Sequence, residues 1–172
     1  MFARHTIQSL WRSTDGSVLV EATVLMPVLI VLFFGVFEFS WYFFNQQLTE
    51  IGIRDAARYL ARGPYLSAAN FIGEGTNPCD NATNKDAAKN LAVTGTTDGS
   101  GSARVKGWTI ANVSISCAAF DNTGLTYAGP STIYSVTVST NFADPALGYF
   151  GLLGLGVPHL SASHTERSFG SS

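Results

Sequence analysis

The stretch VLVEATVLMPVLIVLFFGVFEFSWYFF, residues 18–44, decides the fold of this 172-residue chain because it is apolar almost throughout. Its only charged side chains are Glu21 and Glu38. As an α-helix it would be about 40 Å long, whereas a bilayer core about 30 Å thick needs roughly 20 residues. A secretory signal peptide has a shorter apolar region and a small-residue cleavage site after it, which this sequence lacks. The sequence therefore predicts a transmembrane helix over residues 17–44. A buried core helix is disfavoured because nothing else in the chain is large enough to enclose it.

The charges that flank this stretch predict its orientation. Arg4 and Arg12 precede it together with the N-terminal amine, and the next basic residue is Arg54, ten residues beyond Phe44. The positive-inside rule therefore places the N-terminus in the cytoplasm and the residues from about 45 onward outside. Trp41 and Tyr42 lie where an aromatic belt would meet the outer headgroups.

A short motif stands at the cytoplasmic edge of the apolar stretch. Gly16 ends a basic leader, residues 1–16, and four residues separate it from Glu21. This arrangement resembles the class III signal of type IV prepilins, which prepilin peptidase cuts directly after the glycine. The resemblance implies cleavage between Gly16 and Ser17. Glycine suits such a site because it has no Cβ and resists helix formation. Cleavage would expose the Ser17 amine, which in an assembly can pair with the Glu21 carboxylate of a neighbour, so Glu21 is predicted to serve subunit docking.

Beyond the motif, residues 14–63 resemble the TadE-like family of minor pilins and pseudopilins from tight-adherence (Tad, Flp-type IVb) pilus systems. The matching elements are Gly16, Val20-Glu21, Pro27, Gly35 and Glu38, followed by Ala56-Ala57-Arg58 and Ala61-Arg62. The sequence departs from the family at Ala22, where an aromatic residue is common, and at Tyr59-Leu60, which replace small residues.

The resemblance implies a minor pilin or pseudopilin that acts in assembly of an adhesive pilus. It implies a single-pass protein of the bacterial inner membrane with a periplasmic C-terminal domain, associated with the pilus at the cell surface if it is incorporated. The implied partners are the lipid bilayer, prepilin peptidase, other pilins and the Tad assembly platform proteins. The alternative is a permanently membrane-anchored envelope binding domain that is not incorporated into a pilus.

The helical pattern continues past the membrane segment. Apolar residues recur every three or four positions until Gly63-Pro64, a pair that ends helices. Residues 45–63 are therefore expected to form a helical stalk, and Pro27 is expected to kink the helix within the membrane. The basic residues Arg54, Arg58 and Arg62 share one face, which is either solvated or a subunit contact.

The remaining residues, 64–172, predict an extracytoplasmic α+β domain. A short helix is expected over Asn84–Val93 with Asn84 as its cap, followed by a flexible loop over Thr94–Ser102. Alternation of polar and apolar residues predicts an antiparallel sheet of about three strands. The candidate strands are Trp108–Cys117, Thr132–Phe142 and a polar edge strand, Leu160–Phe169. The apolar connection Asp144–Pro158 is expected either to cover the sheet or to form a contact surface.

The two cysteines, Cys79 and Cys117, lie on the predicted external side, where oxidation favours a disulfide. Such a bond would close a long loop and stabilise the domain by roughly 3–4 kcal/mol in the chain-entropy model. The alternative is a pair of buried thiols.

Several functional classes are excluded by composition and motif. Ten basic residues against twelve acidic ones, at 13% charged overall, give no basic face for nucleic acid. Two cysteines cannot form a zinc ribbon, and His159 and His164, five apart in a predicted strand, should point to opposite faces. No nucleophile elbow, HExxH or CxxC motif occurs. We therefore expect no catalytic, cofactor-binding or metal site and no small-molecule substrate, and we interpret the chain as a non-enzyme.

Overall fold

The computed structural model describes residues 15–62, 77–126, 129–145, 148, 151, 154 and 156–168. A long helix, α1, is followed by a short helix, α2, and a three-stranded antiparallel sheet in the order β1-β2-β3. This arrangement confirms the predicted α+β fold. The element bounds are α1 Asp15–Arg62, α2 Ala82–Thr94, a 3₁₀ turn Ile110–Asn112, β1 Val113–Asp121, β2 Thr132–Ala143 and β3 His159–Ser168.

The chain divides into two compact units, Met1–Ser40 and Trp41–Ser172. In the described part of the first unit, α1 runs without interruption through Pro27, the position at which the sequence predicts a kink. Its large apolar side chains between Val18 and Phe37 are each about half to two-thirds exposed. Among the described residues, α1 is the one helix long and apolar enough to cross a membrane. An uncovered apolar helix of this length requires a lipid or protein environment.

The second unit has one core, to which the second half of α1, α2 and the inner face of the sheet all contribute. Ile53 and Leu60 of α1 are fully buried, and the small side chains of Ala56 and Ala57 between them are fully buried as well. The residues expected to form a stalk therefore also supply one wall of the domain. The rest of the buried cluster is Ala61, Ala88, Ala92, Val93, Val105, Trp108, Val113, Val136, Val138, Phe142 and Leu160.

Among the described residues, Trp108 is the largest buried side chain, and it belongs to this core. Its indole ring stacks on Phe142, with ring centroids 5.7 Å apart, and its Nε1 donates to Thr140 Oγ1 at 3.0 Å. The prediction that Trp108 begins the first strand is wrong, because β1 starts at Val113 and extends to Asp121. The intervening residues form a 3₁₀ turn that is closed by Thr109 Oγ1 donating to Asn112 Oδ1 at 2.7 Å.

The other predicted elements differ from the structure by a few residues. β2 ends one residue later than predicted, at Ala143, and β3 begins one residue earlier, at His159, and lies at a sheet edge as expected. The prediction that Asn84 caps α2 is wrong. Asn81 is the cap, since its Oδ1 accepts the Asn84 N–H at 3.1 Å, while Asn84 itself is buried.

Cys79 and Cys117 form a disulfide, with Cα atoms 5.9 Å apart, as the sequence predicted. Cys117 lies on the inner face of β1, two residues from Ile115, so the bond fastens the segment before α2 to the sheet. Most of the apolar connection between β2 and β3, including Leu147 and Phe150, lies outside the described residues. Both alternatives for it remain open.

Gly52 allows a close approach between α1 and the rest of the core. A Cβ at this position would overlap the carbonyl oxygen of Ala92 and lie 2.8 Å from Cη2 of Trp108. Helix propensity alone favours alanine over glycine by about 1 kcal/mol. We nevertheless expect Gly52→Ala to lower the free energy of unfolding by about 1–3 kcal/mol, because the overlapped groups are backbone and a fixed ring.

Urea unfolding of the full chain in detergent, followed by Trp fluorescence, measures this loss. Gly35→Ala is the matched control, since a Cβ at Gly35 meets no atom within 4 Å in the same helix. Unchanged or increased stability of the Gly52→Ala chain would contradict the close packing described here.

Candidate functional site

The predicted processing residues lie in the first turns of α1. Gly16, Ser17 and Glu21 are all exposed, and a Cβ at Gly16 would meet no atom within 4 Å. The sequence suggested that Gly16 resists helix formation, but the structure places this residue within α1. Glycine lowers the cost of leaving the helical conformation at this position.

Glu21 and Glu38 differ in their surroundings, although both belong to the apolar sequence. Glu21 is exposed, whereas Glu38 is only 8% exposed. The sequence contains no lysine or arginine between Arg12 and Arg54. A cation for Glu21 in an apolar environment must therefore come from the leader, from a free N-terminus or from another molecule.

The basic face of α1 is solvent-exposed at Arg54, Arg58 and Arg62. Arg58 contacts the domain's own edge strand, with its Nε 3.4 Å from Glu166 Oε1, while its side chain stays 56% exposed. Within the chain this face is solvated at all three residues, and the alternative of a contact with another subunit stays open.

Glu166 is held by two basic groups. Nε2 of His164 lies 3.1 Å from its Oε1, and this hydrogen bond, with a smaller contribution from Arg58, lowers the pKa of the Glu166 carboxyl. Because the pKa is lower in the folded state, the stabilisation is present above the ordinary carboxyl range. It is lost as the pH falls through the folded-state pKa.

A second ion pair joins α1 to the segment after α2. Arg104 Nη2 lies 2.9 Å from Asp55 Oδ2, and the Arg104 side chain is mostly buried. Asn45 donates to the buried carboxylate of Asp144. These polar contacts hold the second half of α1 against the rest of the second unit.

The outer face of the sheet carries an open depression with a volume of about 550 Å³. The strand register aligns hydroxyl side chains in rows across this face of the sheet. Beside the depression, the Oγ1 atoms of Thr137 and Thr165 lie 2.8 Å apart. The alternation of polar and apolar residues predicted that one face of the sheet is polar. The depression itself depends on how the three strands are aligned, and the sequence did not predict this register. Its outward polar lining is Asn112, Ser114, Ser139, Asn141, Ser161 and Ser163.

Metal ligation finds no support in the part of the chain that the structure describes, where no three His, Cys, Asp or Glu side chains form a group. His159 Nδ1 lies 2.9 Å from Asn141 Oδ1 on the outer face. His164 faces the other way, toward Glu166 and Arg58, which confirms that the two histidines are on opposite faces.

Within the described residues, one apolar helix that is a candidate membrane span continues into a disulfide-bonded α+β domain, an arrangement that defines a class of membrane-anchored domains. The family model "TadE-like protein" matches residues 16–58, from the glycine of the predicted cleavage site to the basic face of α1. The resemblance to the TadE-like family is thereby confirmed over this segment, about a quarter of the chain. No curated protein and no solved structure gave a significant match.

Proposed function

We propose that this protein is a minor pilin or pseudopilin of a Tad-type pilus, processed by prepilin peptidase after Gly16 and acting in pilus assembly. The observation that carries the proposal is the family match, which begins at Gly16 and continues through Glu21 into the exposed apolar helix. The TadE-like family has a structural role, so the proposal requires no catalytic site.

The exposed surface of α1 supports such a role. Its apolar side chains are uncovered on all sides between Val18 and Phe37, so the same surface can contact lipid before assembly and neighbouring helices after it. Cleavage after Gly16 would place the Ser17 amine near the Glu21 carboxylate of an adjacent subunit. This pairing would neutralise both charges where water is scarce.

The proposed topology follows from the flanking charges. The leader with Arg4 and Arg12 lies in the cytoplasm, where the peptidase has access to Gly16, and the domain lies in the periplasm. There the disulfide between Cys79 and Cys117 is compatible with an oxidising compartment. Other pilins and the Tad assembly platform are the proposed protein partners.

The mature N-terminus tests this proposal directly. Mass spectrometry of the protein from membranes of the producing bacterium is expected to find a chain that begins at Ser17. The same protein from cells without prepilin peptidase should still carry the leader, residues 1–16. An intact leader in cells with active peptidase would refute processing at Gly16.

The hydroxyl-lined depression favours a second candidate function, a permanently anchored envelope binding domain. Six neutral hydroxyl and amide side chains line it, a composition suited to hydrogen bonding with an uncharged polar ligand. This alternative predicts that the leader stays attached, so the same measurement separates the two functions.

A further inference from the structure

The edge strand β3 lies beside the second half of α1 and runs in the same direction. Tyr42 Oη donates to the carbonyl of His159 at 3.4 Å, and Gln46 Nε2 donates to the carbonyl of Ser161 at 2.7 Å. Further along, Arg58 reaches Glu166. From 42 to 58 the helix rises about 24 Å, and from 159 to 166 the strand rises about 23 Å, so the two elements stay level. One end of the domain therefore lies level with Tyr42.

This level coincides with the last turn of the apolar sequence. Trp41, Phe43 and Phe44 are 49%, 61% and 57% exposed, and the apolar stretch ends at Phe44. Residues 18–44 exceed the roughly 30 Å hydrocarbon core by about 10 Å, close to the combined depth of the two headgroup regions, so a centred helix extends about one turn into the outer headgroup region. If α1 spans the bilayer, the aromatic turn lies in this region, where aromatic side chains are enriched.

The domain presents apolar and basic side chains at this end, which we call the proximal end: Lys106, Ile110, Val157 and the aromatic turn at 41–44. Ile110 and Val157 are 47% and 39% exposed, at the starts of the segments that lead into β1 and β3. Lys106 is exposed. Its neighbour Gly107 packs against Pro145, which follows the end of β2, and this contact places Lys106 at the same end of the domain.

The charges at the proximal end suit an anionic lipid surface. The nearby carboxylate, Asp144, is 1% exposed and accepts a hydrogen bond from Asn45, so its charge is withdrawn from the surface. The connection from β2 to β3 leaves and returns at this end, and its sequence ALGYFGLLGLGVP, residues 146–158, contains no charged residue. Exposed apolar groups next to a lysine are typical of surfaces that bind the membrane interface.

We propose that the proximal end is a second membrane contact, by which the domain rests on the bilayer surface. Ile110 and Val157 enter the interfacial region, and Lys106 pairs with anionic headgroups. The contact depends on α1 spanning the membrane, but it is independent of leader cleavage and of pilus assembly. The opposite end of the domain serves as a comparison, since the β1–β2 turn there exposes Leu125 to a similar extent, 53%.

Spin-label accessibility in nanodiscs tests the contact. The full chain with its disulfide formed is placed in nanodiscs of phosphatidylethanolamine and phosphatidylglycerol, and a label is attached at Val157→Cys, Ile110→Cys or Leu125→Cys. All three sites are exposed, so the labels leave the core intact. At positions 157 and 110 the ratio of oxygen to nickel-chelate collision rates is expected to be several-fold higher than at 125.

Equal ratios at all three positions would overturn the proposal, because they would place the proximal end in water. Low accessibility to both reagents at 157 and 110 would also overturn it, since it would show that a second protein copy covers this end. Neither result would bear on the mature N-terminus, so failure of this inference is distinguishable from failure of the proposed function.

Discussion

A Glu21→Ala chain is expected to insert into the membrane and to be cleaved after Gly16, yet to support little or no piliation. Removing the carboxylate lowers the cost of placing this turn in an apolar environment, so insertion should be unchanged or improved. The partner amine at Ser17 is then left without its counter-charge, which weakens docking by about 3–5 kcal/mol. Membrane fraction, N-terminal mass and surface pilus yield measure the three steps separately.

Two further variants make this result interpretable. Glu50→Ala removes an exposed carboxylate from the same helix, one that accepts a hydrogen bond from Gln46 at 3.2 Å, and should leave piliation intact. Gly16→Ala should instead stop cleavage and leave the basic leader attached. Normal piliation by a cleaved Glu21→Ala protein would defeat the docking role of Glu21 while leaving the membrane anchor unaffected.

Loss of the disulfide is expected to have the largest effect on stability. Cys79 and Cys117 are 38 residues apart, and a cross-link over such a loop contributes about 3–4 kcal/mol by restricting the unfolded chain. The double variant Cys79→Ser, Cys117→Ser should lose this amount in urea unfolding of the full chain in detergent. The oxidised wild-type chain should show no thiol available to alkylation.

Chemical reduction provides the matched comparison for the serine variant. The wild-type chain treated with a thiol reductant should lose the same stability, because both treatments remove one cross-link and leave the packing in place. A loss of under about 1 kcal/mol in both would mean that the unfolded chain is already restricted in other ways. Alkylation of both cysteines without reductant would contradict the bond itself.

The features that the sequence predicts well are those with a strong local pattern. The apolar run predicts the start of α1 to within two residues, and the Gly63-Pro64 pair predicts that the helix extends as far as Arg62. Strict alternation predicts the bounds of β2 to within one residue. The processing motif at Gly16 and Glu21 depends on spacing alone, so it can be recognised without any knowledge of the fold. The structure adds that both residues are exposed.

The features that the sequence misses depend on distant partners. The local sequence predicts that Trp108 belongs to a strand, but in the structure it precedes β1 and packs in the core, where it stacks on Phe142. The sequence predicts that residues 45–62 form a stalk, whereas in the structure their alanines are buried in the core. This packing surface depends on the sheet, which is distant in sequence. The ion pair of Arg58 with Glu166 joins residues 108 positions apart, a separation that no local pattern encodes.

The position of α1 in the core has a consequence for biosynthesis. Ile53 and Leu60 are synthesised about 100 residues before β3, His159–Ser168, which lies beside their helix. Contacts between elements so far apart close slowly, since a large loop must be ordered first. Until then the apolar side of residues 45–62 stays uncovered. In the proposed topology, we expect this side of the nascent chain to be covered by the lipid surface or a holding chaperone until β3 has crossed the membrane.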